Sequence, residues 1–185
     1  MAVPRFNRGR VTSKGHGQSL VEFALFAPLL AVLILGAGDL GRVFYYSIEV
    51  TNAAREGARH GAYFDPVSST NKFDSASAIL STVTAEDNWT GGTLTLKTGC
   101  PGTGAPYGGP YAASYYPSGP GTDNTGYVYV CFNNASANTT SSPGQPIRVV
   151  TLYSFAPMTP VIWNFLGNNG RILVAGSAEF IVEGL

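Results

Sequence analysis

The chain has 185 residues, with 11 basic (Lys and Arg) and 11 acidic side chains, so its formal net charge is zero. Charged residues make up 12 % of the chain, about half the usual share. This length suits one domain with a modest core and is too short for two large ones. The balanced charge argues against a polyanion-binding domain, so we expect no nucleic-acid partner.

The charges are unevenly distributed along the chain. Residues 1–17 contain four basic residues and no acidic one, namely Arg5, Arg8, Arg10 and Lys14, a local charge of +4. The remaining residues carry 7 basic and 11 acidic side chains, a net charge of −4. An apolar segment separates these two parts.

This apolar segment predicts a membrane-spanning helix. Phe23–Gly38 holds 16 residues without a charge, and the wider run Leu20–Leu40 holds 21, where a spanning helix needs about 20. The cations before it predict a cytoplasmic N-terminus and a C-terminal part outside, by the positive-inside bias. Aromatic residues 44–46 follow at the outer interface, and Asp39 and Arg42 have the spacing of a helical ion pair.

A secretory signal peptide is the alternative interpretation of this segment. A basic start, an apolar stretch and small residues at Gly36, Ala37 and Gly38 are its ingredients. Glu22 inside the apolar stretch and a helical pattern that continues beyond the possible cut argue against it. A secreted domain released by signal peptidase remains the rival.

Helical periodicity continues from Gln18 to about Ala62. Such a helix is roughly 65–70 Å long, more than twice a bilayer core, so its second half must project outward. Pro28 lacks an N–H and predicts a kink or a melted turn. Gly57 and Gly61, four residues apart, allow close approach, either by another helix or by the protein's own sheet.

The rest of the chain predicts an α+β domain. We expect four antiparallel strands packed on the outer half of the long helix. A short amphipathic helix is predicted at 73–85, and another begins at Thr159-Pro160 and ends near Gly167. Alternation and β-branched residues predict the strands at 93–98, 127–132, 147–155 and 171–183.

A Gly/Pro/Tyr-rich stretch at 99–126 predicts a loop too long for a simple connector. Its tyrosines suit adhesive or interface contacts, or belong to a partly disordered surface loop; they are Tyr107, Tyr111, Tyr115 and Tyr116. The two cysteines, Cys100 and Cys131, predict one disulfide in an exported domain, with a pair of free thiols as the alternative. Closing a loop of this size stabilises the fold by roughly 3–4 kcal/mol.

The residues entering the apolar run form the most informative motif. A carboxylate at the rim of a spanning helix, as at Glu22, costs on the order of 2.5 kcal/mol and is a functional candidate. A glycine followed by an apolar helix with Glu at its fifth position, as at Gly17 and Gln18–Glu22, resembles the processing site of type IV prepilins and pseudopilins.

Longer stretches resemble the TadE-like family, the pseudopilins of tight-adherence (Flp) pilus assembly systems. The resemblance is carried by GQSLVEFAL at 17–25, PLL at 28–30, Gly41-Arg42 and TNAAREGAR at 51–59. It is looser in the C-terminal part, at 149–160 and the final strand, and it does not extend to residues 65–145. This resemblance implies a pilin-like fold with three parts. They are a basic cytoplasmic leader at 1–17, a helix at 18–64 that spans the membrane at about 20–40, and an exported domain at 65–185.

The resemblance implies partners and roles for individual residues. A prepilin peptidase on the cytoplasmic side would cut between Gly17 and Gln18, and the new amine on Gln18 would neutralise Glu22 of a neighbouring subunit. The partners implied are the bilayer, that peptidase and other pilin-like subunits. The implied location is the bacterial inner membrane, with possible entry into a pilus after processing.

Two further interpretations stay open. Residues Arg55, Glu56 and Arg59 serve subunit contacts, or they form a solvated helix face with a Glu56–Arg59 pair. A permanently anchored extracytoplasmic binding or adhesion domain is the rival to the pseudopilin. An enzyme is poorly supported, because no catalytic motif is present and the cysteines lack zinc-ligand spacing; we expect no catalytic residue, metal or cofactor.

Overall fold

The computed structural model describes residues 17–65, 70–71, 75–86, 92–102, 111–119, 122–132, 135–136, 144–159 and 170–183. The helices are α1 (Gln18–Ala62) and α2 (Ala76–Glu86). The strands are β1 (Phe64–Asp65), β2 (Thr70–Asn71), β3 (Leu94–Lys97), β4 (Thr125–Phe132), β5 (Ala135–Ser136), β6 (Pro146–Phe155) and β7 (Ile172–Ile181). The basic residues before 17, Tyr107 and the helix predicted after Thr159 lie outside the described residues.

Helix α1 has 45 residues and confirms the predicted long helix. It runs without a break through Pro28, where the sequence predicted a kink or a melted turn. The predicted melted turn is therefore absent, although Pro28 donates no N–H to the helix. The helix ends at Ala62, and the C-cap residue Tyr63 has an extended backbone and donates its N–H to His60 O.

The principal sheet has the strand order β3-β4-β6-β7, and the short β5 pairs with β4. The α+β architecture, a long helix packed on four main strands, is confirmed. Strands β4, β6 and β7 pair antiparallel as predicted. The prediction is wrong for the edge pair, because β3 runs parallel to β4.

The parallel pair explains the long Gly/Pro/Tyr-rich stretch. Two adjacent parallel strands cannot be joined by a tight turn and need a crossover of a dozen residues or more. Residues 98–124, which connect β3 to β4, make that crossover. Its described part at 111–119 packs on the sheet face opposite α1, where Tyr116 joins Tyr129, Val150 and Leu152 in one buried cluster.

The predicted disulfide between Cys100 and Cys131 is present, with a Cα–Cα distance of 5.6 Å. Strand β3 ends at Lys97, which pairs with Tyr129. The disulfide therefore joins the two parallel strands just beyond their last paired residues, at the point where the crossover begins. It fixes the start of the crossover to the centre of the sheet.

The second half of α1 packs against its own chain. Gly61 leaves room for β6 and α2, because a Cβ atom there would lie 2.5 Å from Ile147 Cδ1 and 3.0 Å from Ile79 Cδ1. Gly57 leaves room for Val83 of α2 in the same way. Of the two interpretations of these glycines, the structure supports packing on the protein's own sheet and α2.

Helix α1 approaches the sheet closely at Gly176 in β7. A Cβ atom at Gly176 would lie 2.5 Å from Val50 O and 2.7 Å from Thr51 N, both backbone atoms of α1. Backbone in a packed helix cannot move aside as the end of a side chain can. Gly176 therefore sets the distance between α1 and β7.

We expect Gly176→Ala to lower the free energy of unfolding by about 1–3 kcal/mol, because the added methyl group overpacks a closed interface. Thermal unfolding of the two proteins in the same detergent, followed by circular dichroism, measures this loss. Gly102→Ala is the matched control, since a Cβ atom at Gly102 meets nothing within 4 Å. Equal melting temperatures for the Gly176→Ala protein and the control would contradict this account of the interface.

The crossover is held to the outer sheet face by buried tyrosines. Tyr129 donates its hydroxyl hydrogen to Tyr115 O at 2.7 Å, and only 3 % of Tyr116 is exposed. Burial raises the pKa of Tyr116 to about 12, with a smaller contribution from Tyr111. Burial likewise raises the pKa of Tyr129 to about 12, helped by Tyr127 and Tyr115.

These two tyrosines make the fold sensitive to alkali. Both are neutral in the folded and unfolded chain below pH 10, their ordinary pKa, so their contribution to stability is complete there. Between pH 10 and about 12 the unfolded chain ionises them first, so the free energy of unfolding falls as pH rises. In an alkaline titration followed by phenolate absorbance, we expect some tyrosines to ionise only near pH 12. Tyr129→Phe is expected to reduce the absorbance change of this late step. A Tyr129→Phe titration identical to wild type would contradict this burial.

Candidate functional site

The start of α1 holds the three residues that the sequence predicts for processing and assembly, namely Gly17, Gln18 and Glu22. Gly17 is the N-cap residue, with φ −87° and ψ −27°, and its carbonyl accepts the Val21 N–H at 3.2 Å. A Cβ atom at Gly17 would meet nothing within 4 Å. The Gly17–Gln18 bond thus lies at an open helix end, with all three side-chain positions exposed.

Glu22 is held by an uncharged neighbour. Gln18 Nε2 donates to Glu22 Oε1 at 3.2 Å across one helical turn. Among the residues that the structure describes, no cation pairs with Glu22. The carboxylate therefore keeps acceptor capacity for a group supplied from elsewhere.

The first half of α1 presents an exposed apolar surface. Between residues 17 and 38, every residue except Ala27 and Gly36 is exposed, including Leu25 at 74 % and Ile34 at 71 %. Within the described part of the chain, α1 is the helix with the length and composition to cross a membrane, and none of its apolar stretch is buried. A core helix of a soluble protein is mostly buried, so this surface indicates a single-pass membrane protein.

Burial along α1 begins at Asp39, which is 5 % exposed. Its carboxylate accepts hydrogen bonds from the backbone N–H of Met158 and of Thr159, each at 3.0 Å. It also accepts the Thr159 hydroxyl at 2.7 Å and Arg42 Nη1 at 3.2 Å. We call these contacts the Asp39 clamp.

The clamp joins the end of the apolar surface to the end of β6. The predicted Asp39–Arg42 pair is confirmed, and the Arg42 guanidinium also lies 4.9 Å from the centre of the Phe155 ring. The contacts with Met158 and Thr159 were not predicted. The sequence signal for such partners was a carboxylate at the edge of an apolar run, where a buried charge needs several hydrogen bonds.

Further along α1, Arg59 pairs with Glu56 within the same helix. Arg59 Nε donates to Glu56 Oε2 at 2.8 Å, and Arg59 Nη2 contacts Glu56 Oε1. The hydrogen bond from Arg59 lowers the pKa of Glu56, and Glu56 raises the pKa of Arg59. The Glu56–Arg59 pair expected for a solvated helix face is therefore present. Arg55 is exposed beside this pair.

The tyrosines of the crossover pack inward more than the sequence suggested. Tyr116 is buried and Tyr111 and Tyr115 are partly buried against the sheet. In the described ranges, no group of three or more His, Cys, Asp or Glu residues is placed to hold a metal ion.

Comparison with known proteins supports the family resemblance. No curated protein matches the chain, and no solved structure matches it. A family model does match: residues 17–59 fit the model described as TadE-like protein. The match begins at Gly17, contains the exposed apolar surface and Asp39, and ends at Arg59, so the resemblance to the TadE-like family is confirmed over that part of α1.

Proposed function

We propose that this protein is a prepilin-like membrane protein that acts as a minor pilin or pseudopilin in assembling a Tad/Flp-type pilus or a related secretion machine. The observation that carries the proposal is the division of α1. Its first half is apolar, exposed and headed by Gly17, Gln18 and Glu22, whereas its second half is part of the packed α+β domain. The TadE-like match over residues 17–59 supports a pilus-related membrane protein.

In this proposal the chain has three parts. Residues 1–17 are a basic leader in the cytoplasm, residues 20–40 span the inner membrane, and residues 65–185 lie outside the cytoplasm. The four cations before residue 17 support this orientation. The domain stays attached to the membrane through the continuous helix.

Processing by a prepilin peptidase fits the open start of α1. Gly17 adds no side chain to the scissile bond and has free space around its Cα. Cleavage after Gly17 places a new α-amine on Gln18, one helical turn from Glu22. Two charges of opposite sign then lie about 6 Å apart along the axis of the helix.

Glu22 carries the assembly contact in this proposal. An unpaired carboxylate at the rim of the hydrocarbon core is costly, and its partner in the described structure, the Gln18 amide, is uncharged. The Gln18 amine of a neighbouring subunit neutralises it when the helices assemble. Neither charge then remains unpaired in lipid. Exposed Arg55 and the Glu56–Arg59 pair extend the contact surface outside the membrane.

We expect Glu22→Ala to insert normally in the membrane but to enter the complex poorly. Removing one partner of a buried charge pair costs about 2–5 kcal/mol, much of it from the charge left behind. Crosslinking to neighbouring subunits in carbonate-washed membranes measures incorporation and insertion in the same sample. Ser19→Ala is the control, since Ser19 is equally exposed in the same turn of α1. Wild-type incorporation of the Glu22→Ala protein would refute the assembly role.

A further inference from the structure

The Asp39 clamp lies at the outer boundary of the span. The uncharged run Phe23–Gly38 covers about 24 Å as a helix, and Leu20–Leu40 covers about 31 Å, against a hydrocarbon core of about 30 Å. Asp39 is the first charged residue after the uncharged run. A helix centred on this run therefore places Asp39 where hydrocarbon gives way to the headgroups.

The clamp brings the segment after β6 to the same level. Met158 N and Thr159 N each lie 3.0 Å from a carboxylate oxygen of Asp39. Residues 156–159, which we call the β6 turn, are thereby held beside the end of the span. Strand β6 extends from there away from the membrane.

Every backbone N–H of the β6 turn has a partner. Ala156 donates to Asn124 Oδ1 at 3.2 Å, Pro157 has no N–H, and Met158 and Thr159 donate to Asp39. A turn in water does not need this, because water satisfies exposed donors. A turn at the membrane boundary does, because lipid offers its N–H groups no such partner.

The side chain that this turn presents is apolar. Met158 is 75 % exposed, more than any other large apolar residue in the described part of the chain. On α1 next to the clamp, Leu40 and Phe44 are 56 % and 63 % exposed and lie one helical turn apart. The exposed apolar surface of the span thus continues onto the domain.

We propose that the β6 turn is a lipid-contacting surface, with Met158 inserted in the outer interfacial region of the bilayer. This inference rests on the membrane span of the proposed function. Asp39 sets the height of the domain above the bilayer, because its carboxylate belongs to the helix and binds the β6 turn. The domain then rests on the membrane surface and does not swing freely on its helix.

Single cysteines labelled with a polarity-sensitive fluorophore test this surface in the full chain. Both native cysteines are in the disulfide, so Met158→Cys labels at one position. Leu30→Cys reports the span, and Ile181→Cys is the matched control, being 67 % exposed. Ile181 pairs with Pro146 at the opposite end of β6, about 30 Å away along the strand.

The labelled proteins are placed in phospholipid nanodiscs with and without lipids brominated in their acyl chains. We expect blue-shifted emission and loss of fluorescence to bromolipid at positions 30 and 158, and neither at 181. Water-like emission at 158, as at 181, would overturn the inference. So would blue-shifted emission at 158 without bromolipid quenching, because a protein partner then covers the turn. Absence of quenching at position 30 would overturn the span itself, and with it the proposed function.

Asp39→Ala tests the role of the clamp. We expect the label at 158 to lose most of its bromolipid quenching, while the label at 30 keeps it. Near-ultraviolet circular dichroism checks that the packed domain persists. Unchanged quenching at 158 in a folded Asp39→Ala protein would show that the clamp does not set the height of the turn.

Discussion

The Asp39 carboxylate lies where the exposed apolar surface of α1 ends and the packed part of the helix begins. Before it, large apolar side chains are exposed; after it, one face of the helix is buried in the protein. A carboxylate at such a boundary needs partners, and it receives two backbone amides, a hydroxyl and a guanidinium. The same contacts attach the sheet to the helix at the membrane end.

The rest of the domain keeps the helix and sheet in close contact along the outer half of α1. Small residues on α1 and Gly176 on β7 allow the helix backbone to touch the strand. On the opposite face, the crossover covers the sheet with Tyr116, and the disulfide fixes where the crossover begins. The sheet is therefore covered on both faces, by the helices on one side and by the crossover on the other.

Local patterns predicted much of this structure. The helix followed from a three-to-four-residue period, the main strands from alternation, and the Asp39–Arg42 pair from helix spacing. The parallel pairing of β3 with β4 was not predicted. The sequence of a short edge strand does not show its direction, and the long loop after it permits either a parallel or an antiparallel pair. The Asp39–Thr159 contact joins residues 120 apart in sequence, so only the folded sheet brings them together. The packing of Tyr116 likewise depends on which face the crossover takes.

The proposed function depends above all on processing of the chain after Gly17 and on its anchoring in the membrane as a prepilin. The most direct test is the intact mass and N-terminal peptide of the protein recovered from its native cells. Cleavage after Gly17 would give a chain that begins at Gln18, and this is the result we expect. A start at Met1 or Ala2 would leave an uncleaved membrane anchor, and a start near Gly38 or Asp39 would leave a secreted domain; either result would contradict the account.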